Sequence, residues 1–73
     1  MSATLQVLQL ICDRLDATGH SLSVHDLAHE LDCSPATAHH IVRGLIQRGY
    51  LEQAGTTKSL MPTHDGLLHA GRI

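Results

Sequence analysis

Apolar residues recur at helical spacing in three successive segments of the chain. The first segment shows this spacing at Leu5, Leu8, Ile11, Cys12 and Leu15. Such a stripe predicts an amphipathic helix, capped by the hydroxyl of Ser2 or Thr4. The helix is expected to run to about Ala17 and to end at Gly19, since glycine favours the left-handed conformation that closes a helix. Residues 21–22 then form a short extended link.

The second segment carries both the start and the stripe of a short helix. Ser23 is followed three residues later by Asp26, the arrangement of a capping box. The apolar stripe consists of Val24, Leu27, Ala28 and Leu31. A tight turn at Asp32 and Cys33 is expected to end this helix.

The third segment predicts a longer helix that runs to about Arg48. Ser34 is a strong N-cap, and Pro35 stands at the first helical position, where its missing N–H costs nothing. The residues expected to face inward are Ala38, Ile41, Val42, Leu45 and Ile46. Gly49 is expected to terminate the helix.

The remaining residues predict a hairpin and one short helix. Residues 50–53 and 58–61 have the composition of strands, and residues 54–57 that of a turn. Thr63 is placed to cap a last helix through Ala70. The fold class is therefore mainly α with a small β-hairpin. It is a winged helix-turn-helix, in which a three-helix bundle carries a two- or three-stranded wing and a short C-terminal helix. Residues 1–73 are expected to form one domain, with the helix-turn-helix at 23–48 and the wing at 50–61.

The second and third segments meet the packing demands of a helix-turn-helix. Two short helices that cross steeply need a small residue at the crossing, and Ala28 supplies it. The turn needs an apolar plug, which is Cys33, and a residue that tolerates the left-handed conformation. Asp32 tolerates that conformation better than most non-glycine residues.

The outward face of the third helix is expected to read DNA. Short and polar side chains near its start would allow deep entry into a major groove, where base edges are exposed. The helix residues expected to contact DNA are Ser34, Ala36, Thr37, His39, His40, Arg43 and Gln47, with Gly44 on the same face. The wing residues expected to do so are Thr56, Thr57 and Lys58.

The charge distribution favours this reading, although the formal net charge is −2. Residues 1–32 contain five acidic residues and one basic residue, whereas residues 33–64 contain three basic residues and one acidic residue. A local basic face matters more for contact with phosphates than the total charge does.

The helix-turn-helix and hairpin resemble the N-terminal DNA-binding domain of the IclR family of transcription regulators. The resemblance covers residues 5 to about 61 and rests on three runs. They are Leu22-Ser23-Val24 with Asp26-Leu27-Ala28, Ser34-Pro35-Ala36-Thr37-Ala38-His39, and Gly49-Tyr50-Leu51-Glu52. The resemblance implies sequence-specific binding of double-stranded DNA and regulation of transcription, with residues 35–48 in the major groove and the wing at the backbone or minor groove.

The chain departs from the family pattern in ways that change the expected contacts. His40 replaces the usual Arg, so the charge at that position depends on pH. Ser59 stands where the second wing strand usually carries an aromatic residue. The family's large effector domain is not among these residues, so the resemblance implies no small-molecule ligand.

A second interpretation is a winged helix that binds another protein and not DNA. Salt-dependent retention on heparin or duplex DNA would separate the two. Because one small module reads few bases, a homodimer is expected, with Leu67 and Leu68 or exposed parts of Leu5 and Val7 at its interface.

The chemistry of the remaining side chains predicts no enzyme, cofactor or metal site. His25 and His29 share a helical face but lack a third ligand, so they are interpreted as surface histidines. Cys12 and Cys33 are interpreted as reduced core residues of a cytoplasmic protein. No membrane-spanning run is present.

Overall fold

The computed structural model describes residues 3–55 and 58–73 and confirms the winged helix-turn-helix fold. The elements are α1 (Ala3–Thr18), α2 (Val24–Leu31), α3 (Pro35–Gln47), β1 (Leu51–Ala54), β2 (Ser59–Pro62) and α4 (His64–His69). Each strand begins one residue later than the sequence predicts. The N–H of Tyr50 donates to the Leu45 carbonyl of α3, and the N–H of Lys58 donates to the Ala54 carbonyl in the hairpin turn. Within the described ranges no helix is long and apolar enough to cross a membrane.

The caps of α2 and α3 are those that the sequence predicts. The N–H of Asp26 donates to Ser23 Oγ at 3.2 Å, and the Asp26 carboxylate accepts from the Ser23 N–H at 3.3 Å, which completes the capping box. Ser34 caps α3 with Pro35 in its first turn. These local hydrogen bonds fix where both helices begin.

The turn between α2 and α3 is closed by a left-handed residue, as expected. Asp32 has φ 53° and ψ 47°, and its N–H donates to carbonyls of the last turn of α2. The N–H of Cys33 donates to the Ala28 carbonyl at 3.0 Å. These bonds satisfy carbonyls that the end of α2 would otherwise leave open.

The core is aliphatic and contains residues of α1, α2, α3, β1 and β2, together with Ala70 just after α4. Its fully buried large side chains are Leu8, Ile11, Leu27, Leu45, Leu51, Leu60, Val7 and Val42. The expectation that Val7 is partly exposed is wrong: it is 1% exposed, because α1 packs against both α3 and β2 and so buries a broad arc of its surface.

Ile46 also departs from its expected inward orientation. Leu45 fills the core at 1% exposure, and Ile46, one residue further around the helix, is 37% exposed at the edge that faces β1. The remaining inward positions of α3 are buried or half-buried as predicted.

The wing is a two-stranded antiparallel sheet tied to the start of α2. Leu51 pairs with Pro62, and Ala54 with Ser59. The N–H of Leu60 donates to the Leu22 carbonyl at 2.8 Å. This single hydrogen bond takes the place of a third strand and fixes the wing beside the link before α2.

Helix α4 is seated on the segment that joins α3 to β1. The N–H of Thr63 donates to the Tyr50 carbonyl at 3.0 Å, and its hydroxyl donates to the Gly49 carbonyl at 2.5 Å. Gly66 packs so closely there that a Cβ at this position would lie 2.0 Å from the Tyr50 carbonyl oxygen. The ring of Tyr50 stacks on His69, with centroids 4.4 Å apart.

The two cysteines occupy different environments, although both are free thiols. Cys12 is buried in the core, and burial raises the pKa of its thiol against the opposing effect of Arg72. Cys33 is only half-buried, because it lies in the turn at the rim of the α2–α3 crossing and not inside it. The interpretation as a core residue therefore holds for Cys12 alone.

Candidate nucleic-acid interface

The predicted recognition face of α3 is open to solvent. The exposed positions on it are Ser34, Ala36, Thr37, His39, His40, Arg43 and Gln47. Gly44 is only half-buried within that face, since the helix backbone around it limits access. Lys58 of the wing is also exposed, whereas Thr56 and Thr57 lie outside the described residues.

Two of these side chains already serve the helix itself. The N–H of Thr37 donates to Ser34 Oγ at 3.2 Å, and the two hydroxyl oxygens are 3.0 Å apart in a mutual hydrogen bond. One hydroxyl hydrogen of the pair therefore remains for an outside acceptor. The pair orients the first turn of α3 and offers one hydrogen bond to a ligand.

Two shallow clefts meet between α3, the wing and the start of α2. The first is lined by His39, Val42, Arg43, Ile46, Gln47 and Gln53. The second is lined by Ser23, Val24, His25, His39, Gln53 and Lys58. His39 and Gln53 line both clefts. We call the two neighbouring clefts together the wing groove.

Gln53 and His25 also belong to this surface, although the sequence patterns do not identify them. A signal for Gln53 exists in strand alternation, because Leu51 points into the core and a residue two positions later lies on the same side of the strand. His25 joins the groove only because β2 is bonded to the link before α2, and no local pattern reveals that contact.

The positive charges that reach this surface are not neutralised by the protein. Arg14 pairs with Glu30 at 2.5 Å, and Arg72 pairs with the α1 carboxylates of Asp13 and Asp16. Arg43 and Lys58, by contrast, form no ion pair within the part of the chain that the structure describes. No Asp or Glu lines either cleft. An overall acidic chain thus presents a groove free of carboxylates.

Lys58 is held in an unusual backbone conformation at the mouth of the wing groove. Its φ is 54°, in the left-handed region that residues other than Gly, Asn and Asp rarely adopt. Its N–H donates to the Ala54 carbonyl at 3.0 Å and closes the hairpin. A turn that glycine would suit better carries a lysine, which places a cation beside His39 and Gln53.

A helix pair joined by a tight turn, an exposed second helix and a hairpin wing define a winged helix-turn-helix domain of the DNA-binding class. The family model of the IclR helix-turn-helix domain matches residues 4–55, which is more than half of the chain. The chain therefore belongs to this family of DNA-binding transcription regulators, a non-enzymatic kind of protein. A comparison with curated proteins finds no match.

Proposed function

We propose that the chain binds double-stranded DNA in a sequence-specific manner as part of a transcription regulator. Helix α3 enters the major groove, and the wing lies against the backbone or the adjacent minor groove. The observation that carries this proposal is the surface shared by α3 and the wing, where Arg43 and Lys58 have no acidic partner among the described residues and no carboxylate lines the clefts.

The arrangement of side chains along α3 suits the reading of base edges. Ala36 and Thr37 are small and exposed near the start of the helix, so that end approaches the floor of the groove most closely. Arg43 and Gln47 lie one turn apart further along, where a guanidinium or amide group donates to guanine or adenine. Sequence preference then comes from α3 and general affinity from the cations.

Replacing Arg43 by Ala is expected to weaken binding to a duplex selected from a random pool by about 1–3 kcal/mol, through loss of a base or phosphate contact. The measurement is a fluorescence-anisotropy titration against the selected duplex and a random duplex. Arg14→Ala is the matched control, because Arg14 pairs with Glu30 and lies outside the clefts. Equal affinities for the native and Arg43→Ala proteins on both duplexes would remove Arg43 from the interface.

The affinity for DNA is expected to fall as the pH rises from about 6 to about 8, because imidazole loses its charge across this range. A phosphate favours the protonated imidazole and so raises its pKa in the complex. Affinity is therefore greatest below the pKa of the free imidazole and falls as the pH rises through the pKa in the complex. His40 and His39 are both exposed on α3, but only His39 lines the clefts.

Titrations at fixed salt compare the native protein with His40→Gln and His39→Gln. Each substitution that removes a charged contact flattens the pH profile. A flat native profile would exclude both histidines as charged contacts, and an unchanged slope in one variant would exclude that residue.

A homodimer is proposed as the form that reads a two-fold symmetric site, because a single small module contacts few base pairs. Leu68 is 49% exposed on α4 and Leu67 is half-buried beside it, so this helix offers more apolar surface than the buried Val7 of α1. Sedimentation of the protein with and without DNA tests the proposal. A monomer at high concentration that binds a non-palindromic site one-to-one would contradict it.

The competing function is that of a protein-binding winged helix. Retention on duplex DNA that falls steeply with salt favours DNA as the ligand, since release of counterions makes such binding salt-dependent. Absence of salt-dependent retention on both heparin and duplex DNA would favour the protein-binding alternative.

A further inference from the structure

We infer that Arg72 is a positioning residue for DNA binding, which holds the wing in its orientation relative to α3. Its side chain ties the end of α4 to α1, and the start of α4 holds the segment that joins α3 to β1. Arg72 lines neither cleft of the wing groove, so it acts through these elements and not by contact with DNA. The inference rests on the proposed function.

The chain reverses its direction after α4 and so directs Arg72 at α1. Gly71 has φ 76°, in the left-handed region, and its N–H donates to the Leu68 carbonyl at 3.1 Å. The N–H of Arg72 donates to the Leu67 carbonyl at 2.8 Å. These two bonds form a Schellman motif, which ends the helix and fixes the backbone from which the Arg72 side chain extends.

The Arg72 side chain is bound by one face of α1. This face carries Gln9, Asp13 and Asp16, which recur at spacings of four and three residues. The guanidinium pairs with both carboxylates, with that of Asp16 at 3.0 Å, and donates to Gln9 Oε1 at 3.4 Å. The Gln9 amide in turn donates to the Ala70 carbonyl at 3.3 Å. We call these four side chains, of Arg72 and its three α1 partners, the C-terminal clasp.

The clasp is more than an isolated ion pair at the surface. One guanidinium is shared by two carboxylates and an amide, and the Arg72 side chain is only 27% exposed. Charged hydrogen bonds in such a network contribute more than a single exposed pair, because several partners fix the geometry. Ala70 next to the clasp is buried in the core. The clasp therefore holds the end of α4 against α1.

The start of α4 holds the junction, which we define as residues 48–50 between α3 and the wing. The carbonyls of Gly49 and Tyr50 both accept hydrogen bonds from Thr63, the N-cap of α4. The Tyr50 N–H donates to the Leu45 carbonyl of α3, and β1 begins at Leu51. The direction in which the wing leaves α3 is therefore set at residues that α4 binds.

Helix α4 is short enough to connect the clasp to the junction. It has six residues, so its two ends are less than two turns apart. When the clasp opens, the last turn of α4 loosens, and with it the stacking of His69 on Tyr50 and the close approach of Gly66. The clasp thus favours the state in which α4 is seated on the junction. Without it, DNA binding must also order the wing, which lowers the affinity.

The first test replaces Arg72 by Ala and measures affinity for the selected duplex over a range of salt concentrations. We expect binding to weaken by about threefold to tenfold, the size of a coupling carried through packed elements. The slope of log K against log salt stays unchanged, because Arg72 contacts no phosphate. Hydrogen exchange of the Thr63 amide, measured by NMR without DNA, becomes faster because its bond to the Tyr50 carbonyl opens more often.

Arg14→Ala is the matched control for this test. It removes the same side chain and breaks another ion pair of α1, that with Glu30 of α2, which has no part in the clasp or the junction. Affinity and Thr63 exchange are expected to stay at native values. Unfolding curves set a temperature at which all variants remain folded.

The second test removes the partners of Arg72 by the double substitution Asp13→Ala and Asp16→Ala. Loss of two negative charges favours the approach of DNA, and alanine favours helix, above all near the end of α1, where a carboxylate opposes the helix dipole. These general effects predict equal or higher affinity. The clasp predicts the opposite sign, a loss of about threefold to tenfold.

The outcomes separate this inference from the proposed function. Native or higher affinity in both the Arg72→Ala and the double variant would overturn the positioning role and leave DNA binding in place. A lower salt slope for Arg72→Ala would make Arg72 a phosphate contact and would also overturn that role. Unchanged exchange at Thr63 in Arg72→Ala would overturn the link from the clasp to the junction. Failure of the native protein to bind any duplex would instead overturn the proposed function.

Discussion

Replacing Leu27 by Ala is expected to lower the free energy of unfolding by about 2–5 kcal/mol, the cost of a large-to-small change that leaves a cavity. Leu27 is fully buried, and it lies on α2 beside Ala28, whose small side chain lets α3 approach closely. Because α2 and α3 already lie close together there, they cannot move much further together to fill the cavity. In a domain of this size the loss is a large fraction of the total stability.

Urea unfolding followed by far-ultraviolet circular dichroism measures this effect. Ile73→Ala is the matched control, because the same number of carbon atoms is removed from a side chain that is 64% exposed. Its effect is expected to be within about 1 kcal/mol, as for most surface substitutions. Equal losses for the two variants would show that the α2–α3 crossing is not the tightly packed centre of the fold.

Replacing Gly66 by Ala is expected to destabilise the protein by about 1–3 kcal/mol, since the new methyl group is forced into a filled space. The Cβ would lie 2.0 Å from the Tyr50 carbonyl oxygen. Because that oxygen belongs to the backbone and a Cβ is fixed to its own backbone, neither atom can rotate away, so α4 as a whole must move. Its displacement would break the Thr63 hydrogen bonds to residues 49 and 50.

Gly44→Ala provides a control of opposite sign. No atom lies within 4 Å of a Cβ built at Gly44, in the interior of α3. Alanine there is expected to stabilise the protein by about 0.5–1 kcal/mol, because it restricts the unfolded chain and favours helix. Thermal unfolding of both variants measures the two effects. Destabilisation by Gly44→Ala, or none by Gly66→Ala, would contradict the packing described for these two glycines.

The parts of the fold that the sequence predicts are those fixed by local interactions. The capping box of Ser23 and Asp26, the cap at Ser34 and the left-handed turn at Asp32 each involve residues a few positions apart. Their sequence patterns therefore specify both the bonds and the helix boundaries. The recognition face of α3 follows from the same periodicity, since the apolar stripe leaves Arg43 and Gln47 on the other side.

The features that the sequence does not predict depend on distant segments. Ile46 has the composition of a core residue, yet its exposure is set by how Leu45 and β1 divide the space beneath α3. The approach of Gly66 to Tyr50 and the pairing of Arg72 with α1 join residues far apart in the chain. No helical periodicity or capping pattern in the sequence indicates such contacts, because they form only when the elements pack together.

The stacking of Tyr50 on His69 makes the protein a natural spectroscopic reporter. The chain has no tryptophan and no phenylalanine, so Tyr50 supplies all of its near-ultraviolet circular dichroism and intrinsic fluorescence from aromatic side chains of these three types. That single chromophore lies at the junction of α4 with the segment before β1. Optical signals that average over many sites in most domains therefore follow one event in this protein, the docking and release of α4. They do so without a label during unfolding.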